Sequence, residues 1–300
     1  MTSIQSAPVA PAPPVTAPVP PGLNLLRLKL RLQAAVSTEW AFGAAWRLFT
    51  TPRRLPEKHW EAAALAGARQ FFVPMPAGQV AAYEWNRAGS RTVLLVHGWE
   101  HRASFWGVLA QALVAAGFRV VALDAPAHGA SYGSRLTLPA YGRAVQAVAD
   151  TLGEVYAVVA HSLGGATTVG VPVRFNEATG GQLPRLVLLA VPGSTPAVAR
   201  RFAEMLRLPP AVVARMKRHI REQHGRDAES FSLTHAGPAF PAGRALLLHD
   251  EQDASIPFRE ARDIAAGWPS LDFRATTGLG HNQIMRDPAV LAQIVAFLAE

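Results

Sequence analysis

The stretch Val155-Tyr156-Ala157-Val158-Val159-Ala160-His161-Ser162-Leu163-Gly164-Gly165 constrains this chain most. Its β-branched run, Val155 to Val159, has the length of a buried strand, and the small residues from Gly164 to Ala166 let a helix begin close against it. Ser162 then stands at a strand-to-helix corner. A corner of this kind holds its serine on a strained turn with the hydroxyl raised above the sheet. It also points the amide of the next residue, Leu163, at the space where an oxyanion would form. The plain alternative is an ordinary turn closed by a serine, and the rest of the chain has to decide.

A serine hydroxyl is a poor nucleophile until a base takes its proton, and the base needs a carboxylate to orient it. Arg244 to His249 reads as another buried strand and runs into the acidic loop Asp250-Glu251-Gln252-Asp253-Ala254-Ser255-Ile256-Pro257. Leu271 to Thr276 is strand-like and runs into the glycine-rich loop Thr277-Gly278-Leu279-Gly280-His281-Asn282, with an amphipathic helix from Asp287 to Glu300 closing the chain. Serine, acid and histidine therefore follow one another in chain order, each at a strand end. The acid is either Asp250 or Asp253 on this evidence.

Two further stretches extend the pattern. Thr92-Val93-Leu94-Leu95-Val96-His97-Gly98-Trp99 is a strand ending in an H-G-x loop. Arg119 to Leu123 is a strand followed by Asp124-Ala125-Pro126-Ala127-His128-Gly129-Ala130-Ser131, of the form D-x-P-x-H-G-x-S. With these, the chain from about Arg69 to its C-terminus resembles the α/β-hydrolase-fold serine hydrolases, of esterase and lipase type. The order serine, acid, histidine is the one expected there.

The resemblance implies an α/β fold: a mostly parallel eight-stranded sheet with helices on both faces and a small helical cap. It implies Ser162 as nucleophile and His281 as base, with the Trp99 amide joining that of Leu163 as oxyanion donor. Asp253 becomes the acid, because its spacing to Pro257 matches the family's D-x-x-x-P loop. Asp250 is left to hydrogen-bond backbone amides. The reaction implied is cleavage of an ester-like bond, carboxylic ester or thioester, through an acyl-enzyme, with a small-molecule acyl substrate and no cofactor or metal. Peptidase, perhydrolase and carbon–carbon hydrolase activities stay open, as does a non-catalytic binding module.

The nucleophile motif departs from the family's G-x-S-x-G, with Ala160 in place of the first glycine, whereas Gly129-Ala130-Ser131-Tyr132-Gly133 satisfies it letter for letter. Context favours Ser162. The strand before Ser131 ends near Asp124, and Gly133 and Pro139 follow where a helix should start. Alanine at 160 adds only a methyl group at a crowded elbow. His97, His101, His128 and His161 show no zinc-type spacing and read as structural. Asp124 reads as holding its own loop.

Strands are expected near Gln70–Val73, Val80–Trp85, Val93–Val96, Val120–Leu123, Val155–Val159, Leu186–Leu189, Ala245–Leu248 and Asp272–Ala275, with crossover helices near Ala103–Ala116, Pro139–Leu152 and Ser162–Arg174. The domain plan is a Pro/Ala-rich tail over 1–22, a helical segment over 23–66 and a hydrolase-type domain over 67–300. A cap is expected at about 195–240, broken at Pro209-Pro210.

Half of the 300 residues are apolar, enough for one large core. There is no cysteine, which excludes disulfides, thiolate metal sites and a cysteine nucleophile. Ala7 to Pro21 should stay extended, and it lacks the pattern of a secretory signal, so a cytoplasmic location is expected. The formal net charge of +8 is concentrated between Arg200 and Arg226, where the arginines either attract acidic substrate groups or form a solvated face. Aromatic–basic interleaving is missing, so nucleic acid is not expected. Leu25-Leu26-Arg27-Leu28-Lys29-Leu30-Arg31-Leu32 begins a helix with two readings. One is docking of an apolar face on the hydrolase body; the other is weak contact with an anionic membrane surface.

Overall fold

The computed structural model describes residues 21–171, 173–177 and 180–300. The expected extended tail falls, through residue 20, outside the described residues. Three helices come first: α1 (Leu23–Val36), α2 (Thr38–Thr50) and α3 (His59–Ala64). The Ser37 side chain accepts the Trp40 amide and starts α2, as a serine N-cap does.

The remainder alternates strands and helices. In chain order they are β1 (Arg69–Met75), β2 (Gly78–Trp85), β3 (Thr92–Val96), α4 (Gly107–Ala115), β4 (Arg119–Leu123), α5 (Leu138–Leu152), β5 (Ala157–His161), α6 (Leu163–Gly170) and β6 (Arg185–Leu189). They continue with α7 (Thr195–Leu206), α8 (Pro210–His224), the short α9 (Leu233–Ala236), β7 (Arg244–Asp250), α10 (Phe258–Gly267), β8 (Leu271–Thr276), the short α11 (Gly280–Gln283) and α12 (Pro288–Ala299).

One eight-stranded sheet results, in the order β1-β2-β4-β3-β5-β6-β7-β8. β1 and β2 are antiparallel to their neighbours and β3 to β8 run parallel. Every residue of β3 and β5 is buried, as strands covered on both faces must be, and this produces continuous apolar runs rather than alternation. Leu94, Val158 and Leu186 face a core completed by α5, α6 and α10; Leu95, Val159 and Val187 face a second core completed by α4 and α12. This is the α/β-hydrolase architecture.

Several element ends differ from the sequence expectation, and at two of them the structure shows why. β5 begins at Ala157, because the Val155 amide and carbonyl are both taken by the Asn176 side chain, at 2.8 and 2.9 Å. α6 stops at Gly170, since Val171 is already extended (φ −102°, ψ 138°), as a residue before proline prefers.

α7 and α8 leave the sheet after β6, in the segment where a cap is expected. α1 and α2 pack on this cap and not on the hydrolase body as the docking reading had it: Leu30, Ala41, Phe42 and Ala45 share a third, separate core with Leu206, Val212 and Met216. Each large side chain removed from water there contributes about 1.5–3 kcal/mol, an upper estimate. Most cap arginines are paired. Arg215 bridges Glu39 of α2 at 2.6 Å, Arg221 bridges Asp227 at 2.7 Å, and Arg201 bonds Glu260 of α10.

Candidate active site

The loops at the carboxyl ends of the parallel strands meet above β3, β5, β7 and β8. Ser162 sits between the end of β5 and the first residue of α6 with φ 50° and ψ −121°, a conformation costly for any residue with a side chain. Its amide donates to the Leu189 carbonyl of β6 at 2.9 Å, which pins the turn. Ala160 pairs with Val96 and Leu188 inside the sheet and its methyl lies in the core, so the missing glycine leaves the elbow intact.

His281 reaches Ser162 from the loop after β8. Its Nε2 lies 3.0 Å from Ser162 Oγ, and its Nδ1 lies 2.7 Å from Asp253 Oδ2. With Asp253 taking the Nδ1–H, Nε2 is left as the acceptor for the serine hydroxyl. Burial pushes the Asp253 carboxyl up, but the His281 hydrogen bond and the Ile256 and Ser255 amides outweigh it and hold the group below the ordinary aspartate range. Those two amides donate to Asp253 Oδ1 at 2.9 and 2.8 Å.

Asp250 is placed elsewhere. It is fully buried and accepts from Thr276 Oγ1 at 2.8 Å, the Leu279 amide at 3.0 Å and the Gln252 amide at 3.0 Å. It therefore ties the acid loop to the loop that carries His281, without touching the imidazole.

Gly98 and Trp99 follow β3 directly beside the elbow. A Cβ on Gly98 would come to 2.8 Å from His161 Nδ1 and 3.0 Å from Ser162 Cβ, so glycine is what allows the approach. Neither the Trp99 nor the Leu163 amide makes a hydrogen bond among the described residues. Two neutral histidines brace this turn. His97 Nδ1–H donates to the Gly98 carbonyl at 2.7 Å while Nε2 accepts the Ala125 amide at 2.9 Å. His128 Nδ1–H donates to the Pro126 carbonyl at 3.0 Å while Nε2 accepts the Glu100 amide at 3.0 Å. Burial keeps the pKa of both below the ordinary histidine value.

Ser131 has no base. Its Oγ donates to the Asp124 carbonyl at 2.6 Å and accepts the Ala81 amide at 2.9 Å, so both roles of the hydroxyl are structural. Asp124 accepts the Ala103 and Ala130 amides at 2.7 and 2.9 Å, and burial pushes its carboxyl up to about 6. Gly129 has φ 46°, and a Cβ there would lie 2.0 Å from Asp124 Oδ2, which explains the D-x-P-x-H-G spacing.

His161, read from sequence as structural, has a specific post. Its Nε2–H donates to the carbonyl of His281 at 2.9 Å, and its ring stacks on His101 with centroids 5.2 Å apart and planes 10° apart. Burial drives it well below the ordinary pKa, so it stays neutral. No local sequence signal links residues 161 and 281.

A family profile for the alpha/beta hydrolase family matches residues 93–294, more than half of the chain. The chain belongs to the alpha/beta hydrolase family. A serine hydrolase-like protein from Danio rerio is 31% identical over 103 residues, 33% of this chain, and the match spans only 31% of that protein's length. An esterase from Pyrococcus furiosus superposes with a TM-score of 0.60 at 15% identity, covering 83% of this chain and 96% of that one. A serine hydrolase from Cycloclasticus zankles gives a TM-score of 0.58 at 17% identity over 78% and 98% of the two chains. At such identities these structures share the hydrolase fold. Ser162 in this alpha/beta hydrolase is only 9% exposed.

Proposed function

We propose that the protein is a serine hydrolase that cleaves an ester-like bond, carboxylic ester or thioester, in a small acyl substrate. The observation that carries this reading is the unbroken relay from Ser162 Oγ to His281 Nε2 at 3.0 Å and from His281 Nδ1 to Asp253 Oδ2 at 2.7 Å. Ser162 Oγ attacks the acyl carbon as its proton passes to His281 Nε2. The carbonyl electron pair moves to oxygen, where the Trp99 and Leu163 amides receive it. The intermediate collapses, the carbon–heteroatom bond breaks, and the leaving group departs with the proton from His281. Water then repeats the sequence on the acyl-enzyme, giving the acid and restoring Ser162. Asp253 keeps its charge throughout and stabilises the imidazolium.

A fluorophosphonate probe tests the reading, with the labelled peptide located by mass spectrometry in wild type, Ser162→Ala and Ser131→Ala. Labelling at Ser162 that is lost only in Ser162→Ala is expected. Labelling at Ser131, or none anywhere while small activated esters are also left intact, overturns it in favour of a non-catalytic binding module.

A further inference from the structure

α1 is apolar on two sides, and among the described residues only one of them has a partner. Leu30 is 1% exposed and, with Leu23, Leu26 and Ala34, seals the helix to the cap. On the opposite side Leu25 is 72% exposed, Leu28 50%, Leu32 60% and Val36 77%. At 100° per residue the four α1 side chains share an arc of about 80°, so they form one continuous stripe. Single exposed leucines mean little, but a stripe of this kind marks an interaction surface.

The charges say what covers it. Lys29 borders one edge of the stripe and Arg31 the other, both exposed, and α1 has no acidic residue at all. The single acid of α2, Glu39, is held by Arg215. Two-fold pairing of the stripe with a second copy would set Lys29 and Arg31 against the same cations with no carboxylate to answer them. An anionic lipid surface answers both features, taking the leucines into the acyl boundary while the long basic side chains reach up to the headgroups. None of the described helices is long and apolar enough to cross a membrane. We infer that the protein rests peripherally on anionic membranes through the outward face of α1.

Because α1 packs on α7 and on α2, which in turn packs on α8, membrane attachment would bring these helices to the lipid. The inference is about location and stands apart from hydrolysis. Deleting residues 1–50 would strip the cap of its cover, so point substitutions are the better test. The full chain is sedimented with vesicles of diether phospholipids, which contain no ester: phosphatidylcholine alone, or phosphatidylcholine and phosphatidylserine in equal parts. Wild type should pellet with the anionic vesicles and stay in solution with the neutral ones, with binding falling as salt rises. Lys29→Gln with Arg31→Gln should weaken partition about twenty-five-fold, at about fivefold for each basic residue. Leu28→Ser with Leu32→Ser should weaken it more than tenfold. Unchanged circular dichroism and unchanged fluorophosphonate labelling show that both double variants fold with their site intact. Equal pelleting of wild type and variants, or none of wild type on anionic vesicles, overturns the inference. So does a wild-type dimer that Leu28→Ser with Leu32→Ser turns into a monomer. Failure of labelling with normal vesicle binding would instead overturn only the hydrolase reading.

Discussion

The rim of the sheet and the cap assembly are stabilised in opposite ways. Around Ser162, the buried carboxylates are tightly hydrogen-bonded: Asp124, Asp250 and Asp253 each accept two or more donors, and His97 and His128 each use both ring nitrogens, whereas His101, His161 and His249 each leave Nδ1 without a partner among the described residues. In the cap, a small apolar core that joins α1 and α2 to α7 and α8 does most of the work, helped by ion pairs at its edges. The first region is over-determined and should respond sharply to the loss of one atom. The second is held by a few separable contacts and should loosen by degrees.

Exchanging one oxygen at either of two aspartates gives the sharpest test. Asp253→Asn keeps the shape but stabilises the wrong imidazole tautomer, so kcat on an activated ester should fall about 10⁴-fold with the folded state largely preserved. Asp250→Asn gains an NH2 among the donors of Thr276, Leu279 and Gln252, so it should lower the melting temperature while kcat falls far less. If Asp250→Asn is the variant that loses turnover at an unchanged melting temperature, the assignment of the acid is wrong.

Much of the rim is legible in the sequence because its constraints are local. A parallel strand buried on both faces writes a continuous apolar run, as in Leu94 to Val96 and Val158 to Ala160, and the loop residue that follows falls at the sheet edge automatically. What stays hidden is contact across the fold. His161 and His281 are bonded although 120 residues separate them, and nothing near either predicts the other. The seat of α1 is hidden for a different reason: with leucines on two faces, the helix pattern does not say which face docks, nor that the cap and not the sheet receives it. Ser131 shows the converse. It matches the written motif, yet its hydroxyl is engaged by Asp124 and Ala81.

Acid should separate the two regions next. Burial holds His97, His128, His161 and His249 below the ordinary histidine value and His101 at about 4. The unfolded chain takes up protons near 6.5 that the native chain refuses, so the stability these groups provide is complete above that pH and drains away below it. Asp124, raised to about 6, works the other way: between about 4 and 6 the native state holds a proton that the unfolded state has lost. Its two-unit shift roughly cancels that of His101, each on the order of 3 kcal/mol. The other four histidines remain unopposed. The melting temperature should therefore drop between pH 6.5 and 4, and amide exchange should show the loops after β3 and β5 opening before the interface of α2 with α8. A melting temperature that is flat or rising towards pH 5 would break the picture of neutral bracing histidines.

The smallest effect should come from the Arg201–Glu260 ion pair, which joins α7 to α10 of the body. Glu260 on α10 accepts the Gly193 amide at 2.9 Å and also bonds Arg201 of α7. Arg201→Ala leaves the carboxylate still held by the backbone where the chain leaves β6, so the fold survives and only the cap is released. Arg201 is partly exposed, which reduces what the pair contributes, and a release of about 1.4 kcal/mol corresponds to a tenfold shift in the opening equilibrium. On the reading that α7 and α8 lie over the 9%-exposed Ser162, that opening limits access. Fluorophosphonate labelling of Arg201→Ala should then run up to about tenfold faster than wild type with bulky probes and at the same rate with small ones. Equal acceleration for both sizes would mean that the substitution acts on the chemistry of the rim, and the separation of rigid site from loosely held cap would fail at the residue that joins them.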